Sequence, residues 1–285
     1  MNDITFIHIG KTGGSYLIDL LGINTNDKIK YRHICNKPER DPKRKYIIWI
    51  RNPIGRFVSA FNYVHAALKH DASSINEFNL KTCIMPDIMQ KRFIKKTNYL
   101  FSKEYDENIL FFETPNKLAE ALSSSDASLK KRALNVMNSE IQHIHKGLGW
   151  YLYNGGFVKN LKDNIIFVGK METMDEDADT LFTILKKKYE KKPKIRENIY
   201  VDNEAKFMSD LAITNIINYY KNSDYAVLKE MKEAGFISGE TYKQYHTYNN
   251  SLEPTTTSNP LSQNSLSTTS LPNSVLPPSS TRPLP

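Results

Sequence analysis

"ITFIHIGKTGGSYLIDLLG", residues 4–22, changes its local character twice. Ile4 to Ile9 form a short apolar run that reads as a strand. "GKTGGS" follows, and then apolar residues at helical spacing close on Gly22, a residue type that commonly ends helices. A strand leading through a glycine-rich turn into a helix presents backbone N–H groups and a helix N-terminus to an anion. Gly13 and Gly14 let the chain turn tightly without a Cβ in the way. Lys11 adds a point charge, and Thr12 and Ser15 add hydroxyl donors. The alternative reading is an ordinary strand-to-helix turn with Ser15 as its cap. A Walker A loop is excluded, because G-x-x-x-x-G-K-[ST] needs glycine at position 5, where Thr5 stands.

The same alternation continues along the chain. Strands are expected at residues 4–9, 29–34, 45–50, 108–113 and 164–169. Helical spacing covers residues 14–22, 53–68, 86–101, 128–144, 173–190, 202–221 and 224–235. Apolar strands separated by helices predict a three-layer α/β fold, a mostly parallel sheet with helices on both faces. Ligands of such sheets gather at the carboxyl ends of the strands. That rule brings Gly10-Lys11, His33, Arg51 and the Lys170–Glu172 stretch to one edge.

Composition bounds the partners. From His246 to Pro285 the chain is dominated by Ser, Thr and Pro, too poor in apolar residues to offset its ordering entropy. We read residues 246–285 as a disordered tail and residues 1–245 as the domain. The tail holds one acid, Glu253, and one base, Arg282, so the formal charge of +8 belongs to the domain. A basic domain favours anionic partners: phosphate-bearing cofactors, acidic glycans, nucleic acid or anionic membranes. Two cysteines, Cys35 and Cys83, make neither a disulfide framework nor a metal-ligand spacing. No basic lead precedes the first apolar run, and no segment approaches the ~20 apolar residues of a membrane span. The expectation is a soluble, cytoplasmic chain without a membrane anchor.

A second motif sharpens the choice. "YIIWIRNPIGRFVSAFNYV", residues 46–64, sets Arg51 at a strand end and Pro53 at a helix start, where its missing N–H costs little. Arg56 and Ser59 share one face of that helix. Arg51 and Ser59 together can clasp a second phosphate, the guanidinium supplying charge and the hydroxyl a directed donor.

"FIHIGKTGGS" resembles the 5′-phosphosulfate loop, and "IRNPIGRFVSAF" the 3′-phosphate motif, of sulfotransferases that use 3′-phosphoadenosine 5′-phosphosulfate (PAPS). The K-T-G-G form is similar to the carbohydrate branch, the heparan 2-O-sulfotransferases and related enzymes. "IIFVGKMETMDEDADTLFTIL" resembles that branch's late strand-helix segment, and "KNSDYAVLKEM" its closing helix. The likeness spans roughly residues 4–235 and is strongest in the first 65. It implies a P-loop NTPase-like sulfotransferase fold with PAPS as donor, the 3′,5′-bisphosphate PAP as product, a carbohydrate hydroxyl as acceptor, and no metal or nucleic acid. Lys11 would stabilise the leaving oxygen, and Thr12, Gly13, Gly14, Ser15, Arg51 and Ser59 would hold the nucleotide. The branch carries its base as a histidine between the two phosphate motifs, and His33 stands there. Three positions depart from the pattern: Gly10, Asn52 and Gly55 occupy places where the family frequently has Pro, Asp and Glu. The missing anchor sets this chain against a Golgi location.

Acceptor contacts are expected from Glu172 after the last strand and from "HIHKGLGWYLYNGGF", where His145, Trp150, Tyr151 and Tyr153 form a sugar-stacking wall. Aromatics at that spacing also build cores, and Glu172 equally suits a capping role. Glu113 carries the same ambiguity. Two other functions fit parts of the pattern. A P-loop nucleotide kinase would need Walker A order and a Mg²⁺-binding Asp at a strand end. A non-catalytic polyanion binder would use the same basic surface without needing His33.

Overall fold

The computed structural model describes residues 4–22, 29–32, 37–69, 102–140, 143–189 and 204–250. His33, Cys35, Cys83, the helix expected over 86–101 and residues 251–285 lie outside the described residues.

Four strands, β1 (Ile4–Ile7), β2 (Ile29–Arg32), β3 (Lys45–Ile50) and β4 (Ile165–Lys170), form one sheet in the order β2-β1-β3-β4. Every neighbouring pair is parallel. The period-2 alternation of β3 divides its side chains cleanly. Tyr46, Ile48 and Ile50 join the core on one face of the sheet, and Ile47 and Trp49 join a separate core on the other. Both cores consist of fully or nearly fully buried residues, so the strands are covered on both sides as a parallel sheet requires. Gly169 of β4 makes room for this packing, since a Cβ there would collide with the Trp49 ring.

Helices α1 (Gly14–Leu21) and α8 (Met174–Ile184) cover the smaller core through Leu17, Leu20, Leu21, Met174, Ala178, Leu181 and Phe182. The larger core lies under α2 (Pro53–Lys69), α3 (Lys103–Phe111), α4 (Pro115–Ala121) and α5 (Ala127–Asn138). It extends to α6 (Leu148–Tyr151), α7 (Gly156–Leu161), α9 (Asp210–Tyr220), α10 (Asp224–Glu233) and α11 (Gly239–Gln244). The expected three layers are present. No helix among the described residues is long and apolar enough to cross a membrane.

One expected strand is wrong. Residues 108–113 belong to α3 and its C-terminal exit. Ser102 caps that helix by accepting from the Tyr105 N–H, Glu104 and Asp106 occupy its first turn, and Tyr105 and Ile109 bury one face at i and i+4. A short apolar run such as "ILFF" fits helix or strand equally, and the cap upstream decides it.

The first residues of the expected tail are tied to the domain. The Asn52 Nδ2 donates to the Thr247 carbonyl, Tyr248 Oη to the Lys206 carbonyl, and Asn250 exchanges two bonds with the Met208 backbone.

Candidate active site

The glycine loop runs from β1 into α1 at the carboxyl edge of the sheet. Its backbone is left-handed at Lys11 (φ 69°) and at Gly13 (φ 83°). Gly13 is the N-cap of α1, and no side chain caps the helix there. Ser15 lies in the first turn rather than at the cap. Space around the loop is tight: a Cβ on Gly10 would strike the His143 ring, one on Gly13 the Met171 and Met174 side chains, and one on Gly14 the His8 ring. Thr12 is fully buried, and its hydroxyl donates inward to the Ile9 carbonyl at 2.8 Å. Its side-chain proton is therefore spent on the loop itself, contrary to the expected phosphate donor.

The two motifs meet. Arg51 Nη1 donates to the Lys11 carbonyl at 3.2 Å, so the strand-end arginine and the loop lysine share one stretch of backbone. Lys11 Nζ lies over the Tyr63 ring, 4.0 Å from its centroid. Tyr63 stands one helical turn after Ser59 on α2, a face that i, i+4 spacing could have extended from Arg56 and Ser59. Ser59 is nearly buried at the same helix.

Arg51 is a partly buried cation. Burial pulls its guanidinium below the usual arginine value, and the charge of Glu172 only partly opposes this. Among the described residues it forms no salt bridge. Glu172 itself accepts hydrogen bonds on both oxygens, on Oε1 from the Asn52 N–H at 2.8 Å and on Oε2 from Tyr245 Oη at 2.6 Å. Gly55 faces Arg51, and a Cβ there would lie 3.4 Å from Nε.

Arg56, five residues on, is the opposite case. It pairs with Asp224 at 3.2 Å, both side chains at most 1% exposed, and donates to the carbonyls of His143 and Ile144. Asp224 Oδ1 accepts from the Gly149 N–H. This network pins residues 143–149 against α2 and α10, and so holds His143 beside Gly10.

His143 was not singled out by sequence. It is buried, packs against Gly10, and its ring centroid lies 6.2 Å from that of Tyr63. His145, the expected neighbour of an acceptor, instead turns its Nδ1 to the Met137 carbonyl and its Nε2 toward Glu140. Nothing local in "HIH" separates the two. Tyr151, expected to face a sugar, is fully buried and has no face to offer. Trp150 is half-buried, with Lys37 and Lys146 over its ring, and Tyr153 has Lys37 and Arg40 over its own. His33 lies outside the described residues.

The glycine loop and the strand-end arginine thus share one edge of the sheet of an α/β protein. The chain matches the model of the sulfotransferase family over residues 1–229, and the protein belongs to that family. Neither the curated proteins nor the solved structures gave a match.

Proposed function

We propose that this sulfotransferase takes its sulfuryl group from PAPS and passes it to a hydroxyl, most reasonably one on a carbohydrate. The observation that carries the donor is Arg51. A partly buried guanidinium that forms no salt bridge among the described residues is stabilised by an incoming phosphate, which supplies charge and bidentate acceptors together. The glycine-rich turn, left-handed at Lys11 and Gly13, leads into the N-terminus of α1, whose dipole favours a second anion. Both features fit a nucleotide phosphorylated at two separate ends.

When bound, the donor supplies an activated sulfuryl group on its 5′-phosphate. Lys11 stabilises negative charge on the leaving oxygen. Gly13, Gly14 and Ser15 bind through backbone N–H groups and the Ser15 hydroxyl, and Thr12 contributes its backbone and the rigidity of its bond to Ile9. Arg51 and Ser59 bind the 3′-phosphate. His33 removes the acceptor proton as the new S–O bond forms. Support for a carbohydrate comes from the K-T-G-G form of the loop and from Trp150, which keeps part of its ring accessible beside Lys37 and Lys146. With both oxygens committed, Glu172 acts on Arg51 rather than on the acceptor.

Melting the protein with PAP or ATP tests the donor. At a hundredfold excess over Kd, bound ligand contributes about 2.7 kcal/mol. For a domain of this size that raises Tm by about 5–10 °C. PAP should produce this shift and ATP a smaller one; an equal or larger shift with ATP would refute a PAPS site.

A further inference from the structure

Residues 239–250 lie beyond the stretch matched by the family, yet they bond to the turn that carries Arg51. Asn52 links them. Its Oδ1 caps α2 by accepting from the Ile54 N–H at 2.9 Å and, more weakly, from the Gly55 N–H at 3.5 Å. Its Nδ2 donates to the Thr247 carbonyl at 2.8 Å and reaches the Gln244 carbonyl at 3.5 Å. Two N–H groups on one side and two carbonyls on the other fix the amide's orientation. An aspartate would cap the helix equally well but would have no proton for Thr247. Asparagine at this place is explained by the segment it holds.

The second link is Glu172, which accepts from the Asn52 backbone on one oxygen and from Tyr245 on the other. The segment itself is anchored on both sides. Tyr225 Oη donates to the Tyr245 carbonyl at 2.9 Å, Tyr248 Oη to the Lys206 carbonyl at 2.9 Å, and Asn250 pairs with the Met208 backbone. Tyr245 is buried in the larger core.

We propose that residues 239–250 form a strap that orients Arg51, with Asn52, Glu172 and Tyr245 as positioning residues for the nucleotide's 3′-phosphate. The proposal rests on the nucleotide reading above. Arg51 is held at both ends: its guanidinium by the Lys11 carbonyl, and its backbone through Asn52, which Glu172 and the strap fix. A guanidinium so fixed loses little freedom on meeting a phosphate, and loosening the turn restores that cost.

Isothermal titration of the full chain with PAP and with adenosine 5′-phosphate isolates the 3′-phosphate, because the ratio of the two affinities cancels everything else the nucleotides share. Asn52→Asp keeps the cap and removes the Nδ2 donor; Tyr245→Phe keeps the buried ring and removes the bond to Glu172. In each variant the ratio should fall about tenfold, the worth of one hydrogen bond to a charged network. Affinity for adenosine 5′-phosphate should stay within about twofold. If both nucleotides weaken equally, or neither weakens, the strap is only structural and the inference fails while the nucleotide reading stands. If the unmodified chain itself binds the two nucleotides alike, the 3′-phosphate site fails and the strap's role with it.

Discussion

Arg51 follows strand β3 and Arg56 lies five residues on, in the first turn of α2, and burial disfavours the charge of both. In Arg56 the charge of Asp224, joined by the Tyr220 hydroxyl, overturns that effect and holds the guanidinium above its usual value. In Arg51 burial prevails, and the charge of Glu172 opposes it only in part. The first arginine is complete within the protein. Arg51 has no such ion pair among the described residues, and that separates the two although they are the same residue type five positions apart.

The contrast can be broken most forcefully at Asp224. Asp224→Ala leaves Arg56 buried without a partner and frees the Gly149 N–H, and should cost about 3–5 kcal/mol in urea unfolding. A loss under about 1 kcal/mol would mean that Arg56 is as unsatisfied as Arg51. Arg51→Ala should behave in reverse. Unfolding free energy should move by less than about 1 kcal/mol, while PAP affinity drops by about 1.5–3 kcal/mol, or ten- to a hundredfold by titration. Matching losses in both quantities would erase the distinction. The finest test concerns α2's third contribution, the ring beneath Lys11. Tyr63→Leu removes a cation–π contact worth about 0.5–1 kcal/mol at a partly exposed site. Turnover should fall about two- to fivefold, with the donor KM unchanged; a change confined to KM would place Tyr63 in binding rather than in support of Lys11.

Two residues that depart from the usual sulfotransferase pattern find their reasons in distant neighbours. Gly10 admits the His143 ring, and Asn52 reaches Thr247. Each is a one-residue fact in sequence and a two-residue fact in space. The same holds for Thr12, whose hydroxyl is legible as a donor but not as one already turned toward Ile9.

Periodicity alone was enough for the β1 loop, the three layers and the pairing of Lys11 with Arg51 at one sheet edge, because alternation and glycine content act locally and parallel sheets collect their strand ends together. It failed at residues 108–113, where a four-residue apolar run carries no period and the Ser102 cap made the choice. Tertiary structure alone decided which histidine of "HIH" lies against the loop, that Tyr151 is sealed in the core, and that a segment some 190 residues away ties down Asn52. These outcomes depend on which side chains reach the same space and which donors are already taken, and neither quantity is carried by residue type or spacing.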